Sequence, residues 1–284
     1  MMQAVIMAGG KGTRLVALTK DEIPKPMVPV AGKPLLLWQV ERLKENGITD
    51  IIMVIGHLGN KIREYFGDGE KFGVAIRYFE ETEPLGTAGS FYYLKDMIHG
   101  DRFVMMSGDL FFDIDFQRMI HFHEEKGAVA TLFVHPNGHP FDSDLLVLDH
   151  DDKITAFDSK HNVRNYWYEN CVNAGIFVFE KKICDYVPEP VKRNLENDVI
   201  KGMLEAGEPI YGYCSPEYVK DVGTVERVNQ TLADIERGVI AGKCLKNKQR
   251  CIFMDRDGTI NQYKGLVYKG EDFTLEDCAV DAIR

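Results

Sequence analysis

The run Ala8-Gly9-Gly10-Lys11-Gly12-Thr13-Arg14-Leu15 follows directly on the apolar segment Ala4-Val5-Ile6-Met7. A short apolar run that stops at glycines reads as a buried strand at the start of the chain. Glycines carry no Cβ, so the backbone here can turn tightly and bring its N–H groups close to a ligand. A row of such groups binds anions, phosphate above all. Lys11 and Arg14 add positive charge beside it. Farther on, Ile23-Pro24-Lys25-Pro26-Met27 sets another cation, Lys25, between two prolines that stiffen the segment. The spacing is not G-x-G-x-x-G, and it lacks the G-K-[ST] ending of a P-loop.

Outward from this loop the pattern alternates. Pro34 precedes a stretch of helical periodicity from 35 to 43, with Gly47 as its stop. Residues 50–55 form a short apolar run read as a buried parallel strand. A helix over 59–66, a strand over 75–79, a turn at 83–87 and a helix over 88–97 are expected next. Another buried strand over 103–107 stops at Gly108-Asp109. This order predicts an α/β fold, a doubly wound Rossmann-like mixed sheet. After a helix near 116–126 the chain turns strand-rich, at 129–134, 145–148, 154–157 and 172–179. Helices over 197–204 and 224–237 enclose strands at 210–213 and 218–220. The glycine-loop half is expected to hold a nucleotide and the strand-rich half a sugar, with the cleft at the carboxyl ends of the parallel strands.

Composition narrows the classes. A chain of 284 residues, 45% hydrophobic, suits one large or two smaller domains. A net charge of −10 argues against broad nucleic-acid binding, which needs a basic face. An anionic nucleotide must then be captured by local cations and a metal, against the global field. No apolar run is long enough to cross a membrane, and the start does not read as a signal peptide. The six cysteines show no C-x-x-C spacing, so reduced thiols in a cytoplasm are expected. The pairs His121/His123 and His135/His139 lack metal-ligand partners and read as surface or core histidines.

Two acids stand out. Asp109 ends an apolar strand just after Gly108, where a carboxylate can project into a cleft mouth without burying its charge. Asp221, in Tyr218-Val219-Lys220-Asp221-Val222-Gly223-Thr224, again ends a strand and precedes a helix. Mg²⁺ takes one or two carboxylates plus substrate phosphates and water, which two such aspartates at the edge of one sheet would suit.

The run GGKGTRL followed by IPKPMVPVAGKPLL closely resembles the signature of the sugar-phosphate nucleotidyltransferases. These join a nucleoside triphosphate to a sugar 1-phosphate and release pyrophosphate. The resemblance covers about residues 2–237, and SGDLFFDID and VKDVGT match the family's two metal-aspartate sites. It implies Asp109 and Asp221 as ligands of Mg²⁺, with Arg14 and Lys25 as the catalytic cations. Ala8, Gly9, Gly10, Gly12 and Thr13 would line the nucleotide. The stretch from Glu80 to Gly89 resembles the base-recognition loop, which implies Glu81, Gly86 and Thr87 at the base. Glu81 stands where thymidylyl members carry glutamine. A carboxylate only accepts, and guanine offers two adjacent donors, which favours GTP. The wording ETEPLGTAG also looks most like the guanylyltransferase branch, whose sugars are manno-configured. Gly108, Lys160 and Asn173 match sugar-side positions, Asn173 in Val172-Asn173-Ala174-Gly175. The chain departs from the family at Lys220, and at Ser159 and His161, where Glu and Pro are usual.

After Gly238 the chain turns basic. The reading is a transferase domain over 1–240, a linker over 241–250 and a second segment over 251–284. A fresh strand at 251–254 leads into Asp255-Arg256-Asp257-Gly258-Thr259, which resembles the first motif of haloacid dehalogenase-like phosphatases, in their heptose bisphosphate branch. Their later motifs are absent, so no phosphatase activity is expected in this chain.

The expected function is a Mg²⁺-dependent guanylyltransferase acting on mannose 1-phosphate or a manno-heptose 1-phosphate. The expected partners are GTP and the sugar phosphate, without nucleic acid or membrane, and homo-oligomerisation stays open. The alternatives are a thymidylyl-, uridylyl- or cytidylyltransferase, a non-catalytic nucleotide-sugar sensor, and a phosphatase acting through Asp255.

Overall fold

The structure is a computed structural model that describes residues 2–10, 15, 19–248 and 251–283. Lys11, Gly12, Thr13 and Arg14 lie outside the described residues. The chain divides into two compact units, Met1–Asn247 and Lys248–Arg284.

The first unit carries β1 (Gln3–Met7), β2 (Pro29–Val30), β3 (Lys33–Pro34), β4 (Asp50–Ile55), β5 (Ala75–Glu80), β6 (Arg102–Ser107) and β7 (Leu110–Asp113). It continues with β8 (Ala130–His135), β9 (Leu145–Leu148), β10 (Ile154–Asp158), β11 (Val172–Glu180), β12 (Ile210–Cys214) and β13 (Tyr218–Asp221). Nine of these form one sheet in the order β10-β9-β11-β6-β1-β4-β5, with β8 joining β11 to β12. β1 runs parallel to both its neighbours, β4 and β6. β11 enters antiparallel beside β6, so the strand-rich half extends the same sheet. The expected doubly wound mixed sheet is thus observed.

The apolar runs are continuous because both faces of the sheet are covered. Along β1, Ala4 and Ile6 point to one core with Met53 and Met106, and Val5 points to the other with Ile52 and Met105. The helix Leu35–Glu45 closes the first core through Leu36, Val40 and Leu43. The helix Phe91–Met97 closes the second through Phe91 and Leu94.

Four expectations are corrected. The helix read from residue 88 begins at Phe91, because the N–H groups of Thr87 and Ala88 both bond to the carbonyl of Arg193. The segment read as a linker from 241 has the short helix Val239–Lys243 running into it. No strand forms at 251–254, where Ile252 is 83% and Phe253 95% exposed, since no neighbouring strand pairs with it. Last, β7 and β13 form a separate two-stranded ribbon that is not part of the main sheet. In the second unit, Asp257 is held by Arg256 and by the amide of Asn261, each at 3.0 Å.

Candidate active site

Asp109 sits in the tight link between β6 and β7. Its position is set from three sides. Gly108 N–H donates to the carbonyl of Met7 at 2.9 Å, which ties the link to the end of β1. A Cβ at Gly108 would stand 3.0 Å from that oxygen and 3.2 Å from Cα of Ala8, a tight fit that any larger residue would have to strain. The buried amide of Gln39 then donates to the carbonyls of Ser107 (3.0 Å) and Leu110 (2.7 Å), which bracket Gly108-Asp109.

Asp221 arrives by a different route from the one expected. β13 pairs antiparallel with β7 so that Asp221 lies opposite Leu110. The N–H of Val222 closes the ribbon by donating to the carbonyl of Asp109 at 2.8 Å. The two acids therefore meet across a ribbon and not along one sheet edge. Lys25, in the short turn Lys25–Met27, stands between them. Its ammonium donates to Asp109 Oδ2 and lies 3.9 Å from Asp221 Oδ1. Arg227 donates to the other oxygen, Asp221 Oδ2, at 2.5 Å.

A cleft of about 740 Å³ opens in front of this cluster. Its lining includes Ala8, Gly9, Gly10, Lys25, Glu81, Gly86, Thr87 and Asp109. Of the glycine loop, the described part therefore faces the cleft. The N–H of Ala8 is already spent on Val54, which leaves the following residues to meet a ligand. A Cβ on Gly9 would come 3.0 Å from Glu81 Oε2, a contact the end of that side chain can yield to, and one on Gly10 would meet nothing within 4 Å.

Burial pushes the Glu81 carboxyl up to about 6, partly offset by the backbone N–H of Leu85. Its Oε1 is buried and has no hydrogen-bond partner. Gly86 has φ +77°, and a Cβ there would overlap the carbonyl of Arg193 at 2.3 Å. Thr87 accepts from the N–H of Leu195 at 2.8 Å. The segment around 193–195 thus clamps the turn beside Glu81.

On the other side, Asn173 lies where the register of β11 against β8 shifts. Its Oδ1 accepts from the N–H of Gly175 at 3.0 Å, and its amide reaches Glu196 at 3.4 Å. Gly175 has φ +79°, and a Cβ there would lie 3.4 Å from the side chains of Ser107 and Leu110, which flank Gly108-Asp109. Lys160 is exposed, its backbone bonded to Asp144, and neither it nor Asn173 lines the cleft.

Sequence reasoning missed Gln39, Gly56, His57, Glu196 and Arg227. Gln39 had a signal: a lone amide among the apolar residues Leu35, Leu36, Leu37 and Val40. Gly56 ends β4 as Gly9 ends β1, and a Cβ on it would meet the carbonyl of Gly9 at 2.9 Å. Glu196 and Arg227 had none, because only the tertiary fold brings them to Asn173 and Asp221.

Residues 3–238 match the Nucleotidyl transferase family, and the chain belongs to it. The UTP–glucose-1-phosphate uridylyltransferase of Synechocystis is 33% identical over 261 residues, 87% of this chain and 66% of that protein. The mannose-1-phosphate guanylyltransferase of Mycobacterium tuberculosis is 32% identical over 246 residues, 86% of this chain and 67% of that protein. The chain thus spans about two thirds of the length of these curated relatives. The crystal structure of HddC from Yersinia pseudotuberculosis complexed with GMP-PN superposes with a TM-score of 0.70 at 25% identity, over 83% of this chain and all of that one. A putative glucose-1-phosphate thymidylyltransferase from Bacillus anthracis superposes at 0.72 with 22% identity, over 82% of this chain and 94% of that one, a likeness of fold.

Proposed function

We propose that this chain transfers GMP from GTP to a sugar 1-phosphate, mannose 1-phosphate or a manno-heptose 1-phosphate, and releases pyrophosphate. The observation that carries the reaction class is the meeting of Asp109 and Lys25, which line the glycine-loop cleft, with Asp221 beside them. The family membership agrees with it.

The residues fit a divalent cation. Asp221 Oδ1 is buried without a hydrogen-bond partner, and Asp109 points at the same ammonium. Asp109 lines the cleft and Asp221 lies next to it across Lys25, so phosphate oxygens in the cleft would complete an octahedral shell on a cation held by the two acids. Mg²⁺ held there would supply charge neutralisation for two anions that must approach each other.

The chain's own residues do the rest. A sugar phosphate is largely dianionic at neutral pH, with its second pKa near about 6, so its oxygen needs no general base. That oxygen attacks the α-phosphorus, the α–β bridging bond breaks, and pyrophosphate leaves with the electron pair. Lys25 balances charge at the α-phosphate. Arg14, by its place in the motif, and the glycine-loop N–H groups hold the departing phosphates. Catalysis is then positioning plus electrostatics, with no covalent intermediate on the protein.

Glu81 supports guanine: its unpartnered Oε1 sits in the cleft lining, where two adjacent donors of the base would satisfy it. The guanylyltransferase relative and the HddC complex with GMP-PN agree with this. Asn173 and Glu196 are the proposed contacts to sugar hydroxyls.

Pyrophosphate release measured with GTP, UTP, dTTP and CTP against several sugar 1-phosphates tests the reading. GTP with a manno-configured sugar is expected to be fastest. Asp109→Ala and Asp221→Ala are each expected to lower turnover at least about a hundredfold, the scale for losing a main electrostatic contributor. Near-normal turnover in either variant would contradict the assignment.

A further inference from the structure

The ion pair between Arg227 and Asp221 assigns a division of labour within one carboxylate. Arg227 Nη1 lies 2.5 Å from Asp221 Oδ2. Asp221 Oδ1 is buried with no hydrogen-bond partner, and Lys25 stands off it at 3.9 Å. Gly223 keeps a side chain off that oxygen: a Cβ there would come 2.7 Å from Oδ1 and 3.1 Å from the lysine nitrogen.

Arg227 also sits in an unfavourable place for a cation. It lies in the first turn of the helix Val225–Glu236, where its own N–H is capped by Thr224 at 3.3 Å. A positive side chain there opposes the helix dipole, by about 0.3–1 kcal/mol. Pairing with Asp221 offsets that cost and gives the arginine a reason to be where it is.

We propose that Arg227 is a positioning residue: it anchors Asp221 through Oδ2 and leaves Oδ1 as the oxygen that takes the divalent cation. This rests on the metal reading given under Proposed function. Lys25 bonds Asp109 and stands off Oδ1, so Arg227 is the cation that holds Asp221. Groups that orient a metal ligand from behind typically contribute ten- to a hundredfold in metal affinity.

The test uses the full chain and Mn²⁺ as the probe, with free Mn²⁺ counted by electron paramagnetic resonance in the presence of a non-hydrolysable GTP analogue. Wild type is expected to bind Mn²⁺, and Asp221→Ala to lose most of that affinity. Arg227→Ala is expected to weaken Mn²⁺ binding by about tenfold or more. Arg227→Lys is expected to recover part of the loss, and Arg227→Gln, which keeps an amide donor but loses the charge and some reach, to behave like Arg227→Ala. Metal-free melting of each variant reports the fold, and the Lys and Gln variants carry the comparison if Arg227→Ala does not fold. Wild-type Mn²⁺ affinity in Arg227→Ala or Arg227→Gln would overturn the assignment. So would a loss of analogue binding in metal-free buffer, which would mean that Arg227 grips phosphate itself. If wild type binds no Mn²⁺ and Asp221→Ala changes nothing, the metal reading fails and takes this assignment with it.

Discussion

At Glu81 the carboxyl group titrates near 6, where burial has pushed it, so its charge changes close to neutrality. Only the ionised form offers two acceptors to the paired donors of guanine, and the protonated form puts a donor against one of them. Affinity for GTP is therefore expected to fall as pH drops through about 6. The Michaelis constant for GTP, measured from pH 7.5 to 5 alongside that for the sugar phosphate, checks this; a flat GTP profile would remove Glu81 from the base site. Glu81→Gln presents one acceptor and one donor. It is expected to raise the Michaelis constant for GTP by at least about tenfold, since unpaired buried polar groups cost about 1–3 kcal/mol. Side chains like this one were legible because they sit inside a dense motif. Gln39 was harder to find. Its role is two hydrogen bonds to carbonyls far along the chain; a lone amide in LLLWQVERL marks the residue but not its partners.

The strands that build the main sheet could be read because each is a run of apolar residues bounded by glycine or charge. β4 and the helix Gly59–Phe66 fall where the periodicity puts them. β7 could not be read so. It is four residues long and follows Gly108-Asp109, where the apolar strand was expected to stop. Its partner β13 lies far along the chain, so the ribbon that joins the acids leaves only a pairing visible in three dimensions. A second element-scale feature is the contact between the helix Phe116–Glu125 and β8. There buried His123 shares a hydrogen bond with Thr131 at 2.8 Å. Burial first, then the charge of Arg102, lowers its pKa from 6.5 to about 4. Between those values the unfolded chain holds more protons than the folded one. This contribution is fully present above about pH 6.5 and is lost as pH falls toward 4. The urea midpoint is expected to drop between pH 7 and 5, and to drop less in His123→Gln. An equal drop in both proteins would show that other groups dominate.

Within the whole molecule, every described residue of the cleft belongs to the unit Met1–Asn247. Nucleotidyl transfer is accordingly expected to survive Asp255→Asn unchanged, as measured by pyrophosphate release. A chain ending at Asn247 is expected to keep the same rate per folded molecule; loss of activity with an intact circular-dichroism spectrum would place part of the site in 248–284. At the cluster the charges of Lys25 and Arg227 offset those of Asp109 and Asp221.

The ribbon of β7 and β13 has an architectural consequence. The pairing of β7 with β13, closed by the hydrogen bond from Val222 to Asp109, sets the gap between the two acids. Two residues far apart in the chain thus keep their spacing by a local staple, and a substitution that breaks the ribbon is expected to part the acids while the nine-stranded sheet stays whole.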